Sequence, residues 1–178
     1  MLAAQYVAGK GIEVATVTPE QPGPGEVRVE VAYVGICGTD LHILAGHMDE
    51  RVADHGVIGH EVSGRIGALG EGVTAWAVGD PVTVMPLRWC GSCPTCRAGH
   101  THICDRLDFV GIDSPGGMQQ LWNVPQGLLV PLPPTLALRD AALVEPGAVA
   151  HHDVARSALS AGERALGGGG RPIRVVMV

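Results

Sequence analysis

The sequence predicts a mainly β protein with a few helices, its short strands closing into a barrel or sandwich. Three observations predict it. Apolar and polar residues alternate at period 2 along Glu26–Val34, EVRVEVAYV, the pattern of a strand with one buried face. Turn formers are dense, with 26 glycines and 13 prolines in 178 residues, so long uninterrupted elements are excluded and many short strands fit. Near residue 136 the alternation gives way to helical spacing.

Taken in order, the first strand follows the turn at Pro22-Gly23-Pro24-Gly25 and occupies Glu26–Val34. Glu61–Ala68 and Pro81–Met85 are further strands, the second opened by Gly79-Asp80, and Gln119–Val124 is another. Leu136–Val144 and Val149–Leu159 read as helices with Pro146-Gly147 between them. Gly167–Gly170 is a run of four glycines, the composition of a connector rather than of a strand or helix interior. The eight residues after it, RPIRVVMV, read as one strand. No internal repeat is visible.

Hydrophobic residues make up 46% and charged residues 17% of the chain, a globular balance rather than a disordered one. Aromatic residues are 3%, so Val, Ile, Leu and Ala must fill the core. The net charge of −6 speaks against a general nucleic-acid binder, which needs cations on phosphate. The sequence holds no apolar run of membrane-spanning length and no signal peptide, so a cytoplasmic protein without a membrane partner is expected.

Four of the five cysteines lie in one segment, Cys90-x-x-Cys93-x-x-Cys96-x7-Cys104. Two-residue gaps let successive thiolates turn back onto one ion, and zinc takes tetrahedral sulfur ligation. Gly91, Pro94 and Gly99 supply the turns. With every ligand from protein, the site is structural. Disulfides, an iron–sulfur site and a DNA-reading module are the competing readings of such spacing, and Arg88, Arg97 and Arg106 nearby read as solvated surface.

A second constellation is dispersed: Gly35-Ile36-Cys37-Gly38-Thr39-Asp40-Leu41-His42, Gly59-His60-Glu61 and Glu145-Pro146. One thiolate, one imidazole and one or two carboxylates leave a zinc position open to exchange, as catalysis requires. Each piece alone is weak. His47, His55 and Asp54 read as loop residues, His100, His102, His151 and His152 as solvent-facing or packed, and Trp89 and Trp122 as packing residues.

Together, GICGTDLH, GHEVSGRIGALGEGV, VGDPV, CGSCPTCRAGHTHIC, GGMQQLWNVP and ALVEPGAVAHHDV resemble the zinc-dependent medium-chain dehydrogenase/reductase (alcohol dehydrogenase) family, in its threonine and sorbitol dehydrogenase-like branch. The resemblance runs over roughly residues 1–166 in order. It implies an α+β, GroES-like partial β-barrel for residues 1–166, with a four-cysteine zinc lobe at about 88–106. It also implies two zinc ions. Cys37 and His60 would be ligands of the catalytic ion, with Glu61 or Glu145 as a third. Asp40 would hold the far nitrogen of His60. Thr39 would touch the hydroxyl of a small alcohol or polyol substrate, and His42 would pass its proton to solvent.

The family's NAD(P) partner occupies a Rossmann domain, which needs a strand, a G-x-G-x-x-G turn and a helix. It is expected directly after Ala161–Leu166, where the four glycines stand instead. The reading is therefore a catalytic domain without its nucleotide domain: 167–170 a linker in its place, 171–178 a returning strand, and neither NAD(P) binding nor turnover by this chain alone. Self-association through the uncovered interdomain face is the accompanying expectation. An exposed zinc-water acting as a hydrolase or lyase, and a non-catalytic zinc scaffold, are the alternative functions.

Overall fold

The alternation along Glu26–Val34 sets the centre of the fold. In the computed structural model, which describes residues 1–157, 164–166 and 172–174, this segment is a strand flanked on both sides. The elements of the first unit, Met1–Glu145, run β1 (Leu2–Val7), β2 (Gly11–Thr16), β3 (Glu26–Val34), α1 (Gly38–Leu44), β4 (Val62–Leu69), β5 (Pro81–Val84), β6 (Leu87–Arg88), α2 (Pro94–Arg97), β7 (Asp108–Phe109), β8 (Leu121–Pro125), β9 (Leu129–Pro131) and α3 (Leu138–Ala141). Five strands form one antiparallel sheet in the order β8-β3-β4-β5-β9. Register shifts at Arg28/Val29 and Val31/Tyr33 interrupt the β3–β4 pairing, and such bulges bend a sheet into a partial barrel.

The inward residues of that alternation pack as predicted. Val27 and Val29 from β3 meet Val62 and Ile66 from β4, Val82 and Val84 from β5, and Trp122 and Val124 from β8 in one buried cluster. Each such side chain contributes roughly 1.5–3 kcal/mol by leaving water. Trp122 is thus a packing residue, and its indole N–H donates to the Pro115 carbonyl at 3.1 Å.

A second buried cluster, Tyr6, Ile43, Val52, Ile58 and Ile112, lies under α1. It ties the β1–β2 hairpin to the segment after α1. The Tyr6 N–H donates to the Gly56 carbonyl and the His55 N–H to the Tyr6 carbonyl, both at 2.8 Å. The Tyr6 hydroxyl donates to Asp49, which pushes the phenol pKa above its ordinary value. The Ala8 N–H donates to Asp54 at 2.9 Å and holds that carboxyl below the usual range.

One expectation changes. Pro146-Gly147 does not separate two helices: α4 runs Val144–Arg156 straight through it. Proline in a first helical turn forfeits an N–H that would have no intrahelical partner there. Residues 158 and 159 of the expected helix lie outside the described residues. In the second unit, Pro146–Val178, β10 (Arg164–Leu166) pairs antiparallel with β11 (Pro172–Arg174) in a sheet of their own. Gly167–Gly170 lie outside the described residues. No helix among the described residues is long and apolar enough to cross a membrane.

Gly59 shows how tightly the backbone is drawn in behind β4. It sits at φ +94°, and a Cβ there would lie 2.6 Å from Met118 Cγ and 3.1 Å from Val34 Cγ1. Gly59→Ala is expected to destabilise the first unit by about 2–3 kcal/mol, combining left-handed strain with overpacking; urea unfolding of the variant against the parent chain measures it.

Candidate metal centres

The four-cysteine lobe is built by local turns. Cys93 caps α2, accepting the Cys96 N–H on its sulfur at 3.3 Å, with Pro94 at the first helical position. Cys90 accepts the N–H groups of Ser92 and Cys93 at 3.5 and 3.4 Å. Cys104 accepts those of Cys90 and Arg106 at 3.4 and 3.3 Å. Cys93, Cys96 and Cys104 are buried.

The sulfur spacing discriminates between the readings. Cys93 to Cys104 is 3.8 Å and Cys104 to Cys90 is 3.5 Å, far beyond a bond of about 2.05 Å in a disulfide. Four sulfurs at about 2.3 Å from a tetrahedral zinc would stand about 3.8 Å apart. The cluster fits the ion. All five cysteines are free thiols.

Electrostatics distinguish the thiols. Backbone N–H donors from Ser92 and then Cys93 lower Cys90 to about 5. Burial first, then the neighbouring sulfurs, pushes Cys96 up to about 12. Arg106 is more than solvated surface: its guanidinium donates to Ser92 Oγ at 2.7 Å, and Cys90 beside it raises its pKa. Arg88 pairs with Asp108.

The second centre is assembled from distant sequence. Cys37 caps α1, its sulfur accepting the Thr39 N–H at 3.3 Å while its own N–H donates to Asp40 Oδ2 at 2.9 Å. The side chains of both cap residues are therefore locked at the end of β3. His60 and Glu61, just before β4, are 5% and 8% exposed. Cys37 Sγ lies 3.3 Å from His60 Nε2. One donor atom each from Cys37, His60 and Glu61 fall within 4.8 Å of one another, a sulfur, nitrogen and oxygen set that suits zinc. Gly35 makes room for it, since a Cβ there would stand 2.0 Å from Glu61 Oε2.

Two expected members take other positions. Glu145 is outside the tight trio, but it lies in its field: burial raises its carboxyl, His60 pulls it down and Glu61 raises it again. Asp40 is buried, yet its observed bond is to the Cys37 backbone; Asp40 Oδ1 and His60 Nδ1 have no hydrogen bond among the described residues. The ring of His60 is instead held by Phe109, edge-on at 5.1 Å and 85°.

Thr39, His42 and Phe109 line one cleft, with His47 and Arg51 beside them. His47 is the residue that sequence reasoning passed over. Its Nδ1 lies 3.2 Å from His42 Nδ1, so one ring donates and the other accepts. A five-residue spacing puts the two histidines on no common helix face, and α1 ends at Leu44. Only the turn after the helix brings them together, a signal the sequence does not carry.

Zinc ligates thiolates, so binding to the Cys90–Cys104 cluster must release protons, including that of Cys96. Lower pH returns those protons and opposes binding. Competition with a chromophoric chelator is expected to show zinc affinity falling by at least about 10-fold from pH 7.5 to pH 6.

Comparison with known proteins places the chain. Residues 23–134 match the model of the alcohol dehydrogenase GroES-like domain. The chain is 53% identical over 173 residues to 2-dehydro-3-deoxy-L-galactonate 5-dehydrogenase of Pseudoalteromonas atlantica, covering 97% of this chain and 51% of that protein. Among solved structures it resembles 2R,3R-butanediol dehydrogenase of Bacillus subtilis, at TM-score 0.83 and 32% identity over 92% of this chain and 49% of that one. It is also similar to an alcohol dehydrogenase of Escherichia coli CFT073 complexed with NADH, at TM-score 0.81 and 33% identity over 88% and 45%. The chain spans about half the length of these relatives. Matched over more than half of its own length by the GroES-like domain of alcohol dehydrogenases, it belongs to the zinc-dependent medium-chain dehydrogenase family.

Proposed function

We propose that this chain is the zinc-binding catalytic domain of an NAD(P)-dependent dehydrogenase for small alcohols or polyols, working in the cytoplasm, where its free thiols stay reduced. The observation that carries the reading is the Cys37–His60–Glu61 trio beside the Thr39–His42 cleft. Two zinc ions are assigned, one to Cys90, Cys93, Cys96 and Cys104 and one to Cys37, His60 and Glu61, with Glu145, whose carboxyl feels both His60 and Glu61, as the alternative third ligand. The catalytic zinc supplies Lewis acidity that lowers the pKa of an alcohol oxygen, making hydride loss from its carbon easier.

The chain's own residues do the rest. The Thr39 hydroxyl takes the substrate proton by hydrogen bond and hands it toward His42. An imidazole accepts a proton on one ring nitrogen while donating from the other and is suited to that task. His42 with Nδ1 protonated donates to His47 Nδ1 and keeps Nε2 free to accept, so a proton gained at one ring can leave from the other. Phe109 packs on His60 and shields that face of the ring from water. Asp40, fixed to the Cys37 N–H through Oδ2, holds the ligand-bearing turn, and its unused Oδ1 supports a role toward the far nitrogen of His60.

NAD(P) binding and hydride transfer are not assigned to the residues of this chain, because the G-x-G-x-x-G turn of a dinucleotide site is not written in them. The relatives' names support the substrate class: one is a 2-dehydro-3-deoxy-L-galactonate 5-dehydrogenase and another a 2R,3R-butanediol dehydrogenase.

Metal analysis tests the reading. The purified chain is expected to hold two zinc ions, and Cys37→Ser one, with its unfolding midpoint little changed. Cys93→Ser is expected to lose the other ion and to unfold several degrees lower, since structural zinc contributes folding energy. A parent chain that never holds more than one ion would favour the scaffold reading and sink this one.

A further inference from the structure

The cleft next to the catalytic trio is lined by nitrogen donors that the zinc reading leaves partly unused. His42, His47 and Arg51 line it, and no aspartate or glutamate is among the lining residues. Its apolar floor, Met48 and Ile112, belongs to or packs on the buried cluster under α1.

Arg51 is held rather than loose. Its Nε and Nη2 donate to the two carboxylate oxygens of Asp113 at 2.7 and 2.8 Å. Asp113 also accepts the Phe109 N–H at 2.8 Å, so the guanidinium is tied to the turn whose Phe109 ring packs on His60. From the other side, Tyr6 binds Asp49 and the Ala8 N–H binds Asp54, anchoring the segment that carries Arg51 before and after it. Asp113 offsets much of the charge but not the donors. A guanidinium has five N–H groups and two are engaged, which leaves three. A fixed fork with a free edge is the geometry that receives a carboxylate bidentately. The His42–His47 pair adds an imidazole N–H, because only one of its two Nδ1 atoms donates in the 3.2 Å contact.

We propose that Arg51, with His47 beside it, binds the carboxylate of an acidic alcohol substrate, a hydroxy acid or sugar acid whose carbinol oxygen reaches Cys37, His60 and Glu61. This rests on the zinc–alcohol reading above and narrows it. Arg51 selects the substrate and orients its carbon chain, so that one hydroxyl of several meets the metal.

The test compares L-galactonate with galactitol, which share a six-carbon hydroxylated skeleton and differ at C1, on the cobalt-loaded chain. The visible spectrum of cobalt at the open site reports ligation of the alcohol oxygen, and titration of that change gives each affinity. Galactonate is expected to bind at least 10-fold more tightly, with the advantage shrinking as salt is raised. Arg51→Gln is expected to remove the advantage and leave galactitol binding as it was. Equal affinities for the two ligands in the parent chain, which needs no variant, overturn the inference while the zinc–alcohol reading stands. An advantage that survives in a folded Arg51→Gln also overturns it, since the carboxylate would then be on the metal. A spectrum that neither ligand perturbs overturns both readings.

Discussion

The register of β3 on β4 is the constraint on which the catalytic centre depends. Val34 pairs with Val62 at the end of the ladder, and the next step is the Gly35 N–H donating to the Glu61 carbonyl at 2.7 Å. That one pairing sets Cys37 and His60, 23 residues apart, within 3.3 Å of each other. Side chains alternate along a strand, so a slip of one residue would turn Val62 outward and carry His60 and Glu61 away from the sulfur. The buried valines of β3 and β4 therefore do more than fill the core. Their transfer free energy holds the register, and the register holds the ligands.

The two metal centres differ in what they ask of the fold. The four-cysteine lobe gathers its donors within fifteen residues and satisfies them with its own backbone N–H groups. It needs little from the barrel, and the ion itself supplies much of its order. The Cys37–His60–Glu61 centre is the reverse. Its donors come from a helix cap and from the entry to a strand, and the hydrophobic clusters position both. A ligand set imposed from outside in this way can be left short of four, which is what an exchangeable site requires.

This difference also decides what was legible in the sequence. Period-2 alternation revealed β3 directly, because a strand with one buried face writes its burial into the chain. Local spacing revealed the Cys90–Cys104 cluster for the same reason. The β1–β2 hairpin escaped notice, although Tyr6 lies at the heart of a buried cluster. Its alternation is weak, with Val14 exposed on β2. The catalytic donors were legible as motifs of a resembled family and not as a geometry. Glu61 and Glu145 could not be ranked from sequence, because a carboxylate's place depends on the glycine facing it. Gly35 admits Glu61. Asp40 was given a partner in His60; its Oδ2 accepts the N–H of the cap residue Cys37, a local donor that spacing could have shown, and its Oδ1 has no bond among the described residues.

Segment 45–56 joins these themes. It lies outside regular structure, carries His47 and Arg51, and depends for its position on the β1–β2 hairpin. The bonds from Tyr6 and Ala8 to Asp49 and Asp54 and the buried Val52 fix the back of the segment. The Arg51–Asp113 fork fixes its front. A loop free to move would place a guanidinium only on average, and orienting a substrate to a fraction of an ångström is worth several kcal/mol to a reaction. The hairpin thus reaches the chemistry through two carboxylates and one valine, and substitutions at Tyr6 bear on the cleft as well as on the core.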